Sequence, residues 1–193
     1  MLKRLASALL ASVAIGAPAL AAPASLDRSH QHLWTSLERQ NVQLFINPDY
    51  VCGSEDGLAG AYFYARNHEV PVIVICQDNR TGEEEVAWTE NDLDTLRHEA
   101  VHYLQDCIDG DVGMTMDPYH DGDGWAPGTD THLDVIRALG YDNALRIETV
   151  YRERGADDLT VRLEHEAFLI ARDAEAGDIG ETINQFCPST RIQ

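Results

Sequence analysis

Residues 93–108, LDTLRHEAVHYLQDCI, make two demands on any fold that contains them. The first is an amphipathic helix. Leu93, Leu96, Ala100, Leu104 and Cys107 recur at helical spacing, with Val101 and Ile108 at the edge of the stripe. The second is a polar face of a particular kind. His98-Glu99-Ala100-Val101-His102 has the pattern H-E-x-x-H. Residues four apart on an α-helix differ by only about 40° around its axis, so both imidazoles can reach one metal ion. Glu99 is rotated about 100° from His98, which sets it beside that ion and not beneath it. A base for a metal-held water belongs there. Thr89 followed by Asp92 resembles a capping box, with Asp in place of the usual Glu or Gln.

The rest of the chain bounds where such a helix can work. Lys3 and Arg4 precede an apolar, small-residue run over residues 5–20, and Ala19-Leu20-Ala21 fits a signal-peptidase site. Residues 1–22 are therefore expected to be a cleaved signal peptide, since the run is too short and too Ala-rich for a spanning helix. Residues 23–193 then form one domain, long enough for a real core. The formal charge is −19, from 14 basic and 33 acidic residues. Lys3 and Arg4 are two of the 14, so the mature part stands at −21 and contains no lysine. Nucleic acid and anionic membrane surfaces are poor partners for it. The acidity is read as a solvated surface, Glu83-Glu84-Glu85 included. All four cysteines follow the leader, which points to two disulfides in a secreted or periplasmic protein. Of the three pairings, Cys52–Cys76 and Cys107–Cys187 are expected. The first would tie neighbouring strands, the second the end of the motif helix to the C-terminal segment. No C-x-x-C spacing suggests a cysteine-bound metal.

The coarse element order is helix, small sheet, motif helix, then a helical half. Residues 25–40 read as a first helix, with His30 and His32 taken as surface or interface residues. Residues 42–46, 60–66 and 70–76 read as strands, the last β-branched at nearly every position. Asn67-His68 suggests a hairpin turn between the second and third. Residues 109–129 are Gly/Asp-rich and too polar for core. They are read as a surface loop, or as a cleft rim in which Tyr119 or His120 donates to an oxyanion. Asp117, Asp121 and Asp123 lack the complete calcium-loop spacing. Residues 130–139, 143–154, 157–175 and 179–186 read as helices, the first three ending at Gly140, Gly155 and Gly177.

At His98, Glu99 and His102 the chain resembles the zincin metallopeptidases. The resemblance covers this one helix. It implies that the two histidines bind Zn²⁺ and that Glu99 activates water. The expected order of elements is analogous to the zincin fold, an α+β arrangement with a small, mostly antiparallel sheet before the metal-binding helix. The metzincin branch is excluded, because its Gly and its following His or Asp are replaced by Gln105 and Ile108. Met114 and Met116 are not read as its Met-turn.

The third ligand is sought downstream. Leu159, Leu163, Ala167, Ile170 and Ala174 make an apolar stripe, and Glu166 projects at its edge. A carboxylate there costs several kcal/mol unless a cation neutralises it. Glu166-Ala167 also looks like the Glu-Ala of glutamate-ligand zincins, although Ile170 stands where that family often has an orienting Asp. Glu166 is the first choice. Glu164, His120, His132 and His165 remain open, as does an ion pair of Glu166 with Arg162. The expectation is an exported zinc metallopeptidase acting on peptide or protein substrates, with Glu99 as base and His98, His102 and Glu166 as ligands. The alternative is a non-catalytic zinc-binding or partner-binding domain on the same frame.

Overall fold

The computed structural model describes residues 22–53, 58–65, 70–108 and 132–187. Residues 1–21 of the expected leader, the Asn67-His68 turn and residues 109–129 with Tyr119, His120 and the three aspartates lie outside them. The described part is α+β, with seven helices and one three-stranded sheet.

The most apolar strand decides the sheet. β3 (Val70–Ile75) is the central strand, and Val72, Ile73, Val74 and Ile75 are all buried. Such a near-continuous apolar run fits a strand covered on both faces. Ile73 and Ile75 point into the main core, while Val72 and Val74 join Cys52 and Cys76 in a small cluster on the other face. β2 (Gly60–Ala65) pairs antiparallel with β3 on one side. β1 (Gln43–Ile46) pairs parallel with it on the other. The sheet is thus mixed, not mostly antiparallel. A short helix absent from the sequence reading, α2 (Asp49–Cys52), starts the return from β1 and covers the second face. Two side chains clamp the ends of β1 and β3 together. Asn47 Oδ1 accepts from the Gln77 amide at 2.8 Å, and Asn47 Nδ2 donates to Gln77 Oε1 at 2.9 Å.

The motif helix, α3 (Glu90–Cys107), lies across this sheet. Both arms of its capping box are formed: Asp92 N–H donates to Thr89 Oγ1 at 3.1 Å, and Thr89 N–H donates to Asp92 Oδ2 at 2.8 Å. The second Asp92 oxygen accepts Asp78 N–H at 2.8 Å, so the cap also anchors the preceding loop. α1 (Arg28–Arg39) packs on α7 (Ala176–Phe186), and together they close the core under α3 with Leu33, Trp34, Leu37 and Ile183. His30 is buried in a structural role. Arg97 Nη1 donates to its Nε2 at 2.9 Å, which leaves its Nδ1–H for Asp27 at 2.6 Å. His32 pairs with Glu181 at 3.1 Å.

α6 (Asp158–Asp173) runs antiparallel to α3, so that Gln105 meets Leu163 while Arg97 meets Ala171. On its far side α4 (His132–Leu139) and α5 (Tyr141–Glu153) enclose a second, smaller core of Val135, Leu139, Ala144 and Ile147. Gly140 and Gly155 take φ of 84° and 90°, the left-handed values that glycine adopts freely after a helix. The cysteines pair as expected. Cys107–Cys187 ties the end of α3 to the end of α7, while Cys52–Cys76 ties α2, not a strand, to the end of β3.

The two crosslinks close loops of different length, with sequence separations of 24 and 80 residues. Chain-entropy arithmetic gives about 3.5 kcal/mol for the shorter and about 4.5 kcal/mol for the longer. Urea unfolding should therefore show a larger loss for Cys107→Ala with Cys187→Ala than for Cys52→Ala with Cys76→Ala. The reverse order would contradict this placement of the long crosslink.

Candidate metal centre

α3 is buried on nearly every side from Leu96 onward, because the sheet and α1/α7 cover one face and α6 the other. His98, Glu99 and His102 are each 7% exposed and face the cleft between β2, α5 and α6. The third group that meets the two imidazoles is Glu164. Its Oε2 is 3.2 Å from His98 Nε2, and its Oε1 is 3.4 Å from His102 Nε2. The two Nε2 atoms are 3.1 Å apart. Among the described residues, this is the one group of three or more His, Cys, Asp or Glu placed to share an ion.

These distances allow a test of fit. Tetrahedral zinc with bonds of about 2.0–2.1 Å to nitrogen sets neighbouring donor atoms about 3.3–3.4 Å apart. The two imidazole nitrogens, 3.1 Å apart, and the two Glu164 oxygens, one 3.2 Å from His98 and the other 3.4 Å from His102, lie near that spacing. Glu164 Oε2 is buried and has no hydrogen-bond partner among the described residues. Two facing imidazole nitrogens and an unsatisfied carboxylate oxygen cannot all be content without a proton or a cation between them. Two His nitrogens and one carboxylate suit zinc or a similar divalent transition ion better than the hard cations Mg²⁺ and Ca²⁺.

Glu166, the first choice from sequence, is not brought to the histidines. It is buried on the other flank of α6, where its Oε2 accepts from Gln105 Nε2 at 2.7 Å. The reason is a rotation of the contact face. The sequence stripe leaned on Leu159, which is 41% exposed. The face that meets α3 is centred instead on Ala167 and Ala171, with Ala100 opposite. Small residues let the helices approach closely. Turning the face from Leu159 toward Ala171 brings Glu164 to the cleft side and leaves Glu166 on the other, about 160° away around the axis. His132 and His165 are also accounted for. His165 Nε2–H donates to the Ala144 carbonyl at 2.9 Å, so its Nδ1 accepts from His132 Nε2–H at 2.9 Å. That chain braces α4 and α5 against α6. Burial, and then the neighbouring His165, lower the His132 pKa.

The electrostatics follow from the crowding. Burial works against a charged His102, but the Glu164 carboxylate, with Glu99 behind it, raises its pKa to about 9. Burial likewise opposes a charged Glu164, yet the two imidazoles hold it well below the usual carboxylate range. Glu99 goes the other way: burial raises it, against the pull of His98 and His102. The cleft itself has two adjoining lobes of about 350 and 280 Å³, both lined by His98, Glu99, Gly60, Tyr151 and Arg154. Gly60 is required for this closeness. A Cβ there would lie 2.5 Å from Thr95 Cγ2 and 2.8 Å from Glu99 Oε1. Tyr151 had no signal in the sequence reading beyond an aromatic on a helix. Burial, and then Glu164 beside it, keep its phenol protonated far above neutral pH.

No protein-family model, curated protein or solved structure matches this chain.

Zinc must displace the His102 proton wherever that proton is bound, which is below about pH 9. Apparent zinc affinity should rise about tenfold per pH unit from neutral pH toward 9 and then level off. Competition with a chromophoric chelator measures it, and a pH-independent affinity would contradict the His102–Glu164 arrangement. Glu164→Ala should weaken zinc by at least about 100-fold, beyond the usual effect of an outer partner.

Proposed function

We propose that this protein is an exported zinc-dependent metallopeptidase of the zincin type. The observation that carries the reading is the meeting of His98, His102 and Glu164 at zinc spacing, with Glu99 beside them in an open cleft. Export is supported by the leader-like start of the sequence and by the two disulfides. No helix among the described residues is long and apolar enough to cross a membrane.

Three protein ligands leave a coordination position for water or substrate, and zinc held there would polarise a carbonyl and acidify that water. The chain's residues do the rest. Glu99 is next to the ligand His98 in sequence and lines both lobes of the cleft. Its raised pKa moves it toward the value at which a base can take a proton and later release it. It accepts the proton of the attacking water and delivers it to the leaving amine nitrogen. Tyr151 stays protonated, lines the same cleft as Glu99 and bonds through its side chain to Glu164, so its O–H is at hand to donate to oxygen that gains negative charge as the amide carbonyl is attacked. This gives Tyr151 the role first considered for Tyr119 or His120. The start of β2, Tyr151 and Arg154 line both lobes of the cleft.

The test is amide hydrolysis of a peptide library by purified, zinc-loaded protein. Glu99→Gln should retain one zinc per chain and lose about 10²–10⁴-fold in kcat/KM, the range for loss of a general base. Tyr151→Phe should lower kcat with little change in KM, by up to about 10²–10³-fold if its hydroxyl meets the oxyanion. Full zinc loading with no peptide hydrolysis would overturn the enzymatic reading and favour a zinc-binding domain without catalysis.

A further inference from the structure

We propose that Gln105 and Glu166 form a positioning pair that selects the tautomer of His102 and aims its Nε2 at the metal position; this rests on the metal reading above. Gln105 is fully buried, one turn beyond His102 on α3. Its amide makes three hydrogen bonds. Oε1 lies 2.8 Å from His102 Nδ1, and Nε2 donates to Glu166 Oε2 at 2.7 Å and to the Leu163 carbonyl at 3.1 Å.

The chemistry of these partners removes the ambiguity of the amide. A carboxylate and a carbonyl only accept, so the Gln105 group facing α6 must be the NH₂. The group facing His102 is then the carbonyl oxygen, which also only accepts. His102 Nδ1 must therefore carry hydrogen, and the lone pair of the neutral ring must sit on Nε2. That is the nitrogen facing His98 and Glu164. Direction thus runs from α6 to the metal position: Glu166 orients Gln105, and Gln105 orients His102. Outer partners of this kind fix ring orientation and raise ligand basicity. Among the described residues, His98 has no such support. Its Nδ1 is buried without a hydrogen-bond partner among the described residues, and the Phe168 ring packs against it with centroids 4.4 Å apart. The burden of directed ligation falls on His102.

The pairing also explains why the chain keeps two buried glutamates two residues apart on α6. Glu164 serves the metal position directly, and Glu166 serves it through an amide.

The experiment measures zinc affinity by chelator competition, together with the His102 tautomer by long-range ¹⁵N–¹H correlation in the metal-free protein above pH 9. Wild-type protein should bind one zinc, lost in Glu164→Ala, and show Nδ1–H. Gln105→Leu should weaken zinc by about 10–100-fold and leave a mixture of tautomers. Gln105→Glu should weaken it as well, because two carboxylates would meet where the amide now bridges. The exchanged pair Gln105→Glu with Glu166→Gln should bind zinc at least about threefold more tightly than Gln105→Glu alone and restore Nδ1–H, since a carboxylate would again accept from His102 and an amide would again donate between the helices; it should fall short of wild type, because the Leu163 carbonyl loses the donor it has in Gln105. Recovery in the double variant also guards against a folding defect in either single one. Unchanged zinc affinity and tautomer in folded Gln105→Leu would overturn the proposal while leaving the metal site intact. Failure of wild-type protein to bind zinc would instead overturn the metal reading.

Discussion

The close antiparallel contact of α3 with α6 is the constraint on which the rest depends. Ala100, Ala167 and Ala171 keep the two helices near one another. The consequence is that the polar groups between them are largely withdrawn from water and lean on one another or on the cleft for partners. Glu99, Glu164, Glu166, His98, His102 and Gln105 are all buried there. Such a cluster does not stabilise a fold for its own sake, because desolvating charges costs more than their pairing commonly returns. The apolar layers on either side carry that cost: the sheet with α1 and α7 below, and the small core of α4 and α5 above. The crosslink of Cys107 to Cys187 fastens the end of α3 to the lower layer.

The same contact sorts the ionisable groups by role. Glu164 is drawn strongly acidic by two imidazoles, while Glu99, a turn or less from both, is pushed up by burial. One carboxylate is thereby suited to hold a cation and the other to hold and release a proton. Neighbouring carboxylates whose surroundings drive their pKa values apart mark a division of labour in many hydrolytic sites. Here the division arises from geometry alone. Glu164 lies beside both ring nitrogens, whereas Glu99 packs against Gly60, where a Cβ would force Thr95 or Glu99 to shift.

Much of this was readable in the residues. The motif helix, its capping box, the central strand and the helical second half follow from spacing and composition, because each is a local signal, and the cysteine pairs are the preferred ones of three possible pairings. Three features were not. The parallel pairing of β1 depends on α2, a single turn too short to leave a periodic trace. Glu166 outranked Glu164 because large apolar side chains dominated the stripe, whereas the helix contact is centred on alanines. A rotation of that face by a fraction of a turn exchanges the two glutamates, and the sequence carries no marker for it. Gln105 stood out only as a departure from the metzincin pattern. Its role needs the third dimension, since its partners Leu163 and Glu166 are about 60 residues away in the chain.

The central claim is that His98, His102 and Glu164 converge on one ion with Glu99 alongside. Diffraction from zinc-soaked crystals, recorded above and below the zinc absorption edge, tests it most directly. The account predicts a single strong anomalous peak about 2.0–2.2 Å from both imidazole Nε2 atoms and from a Glu164 oxygen, with Glu166 still bonded to Gln105. A peak coordinated by Glu166, or one remote from the two histidines, would contradict it.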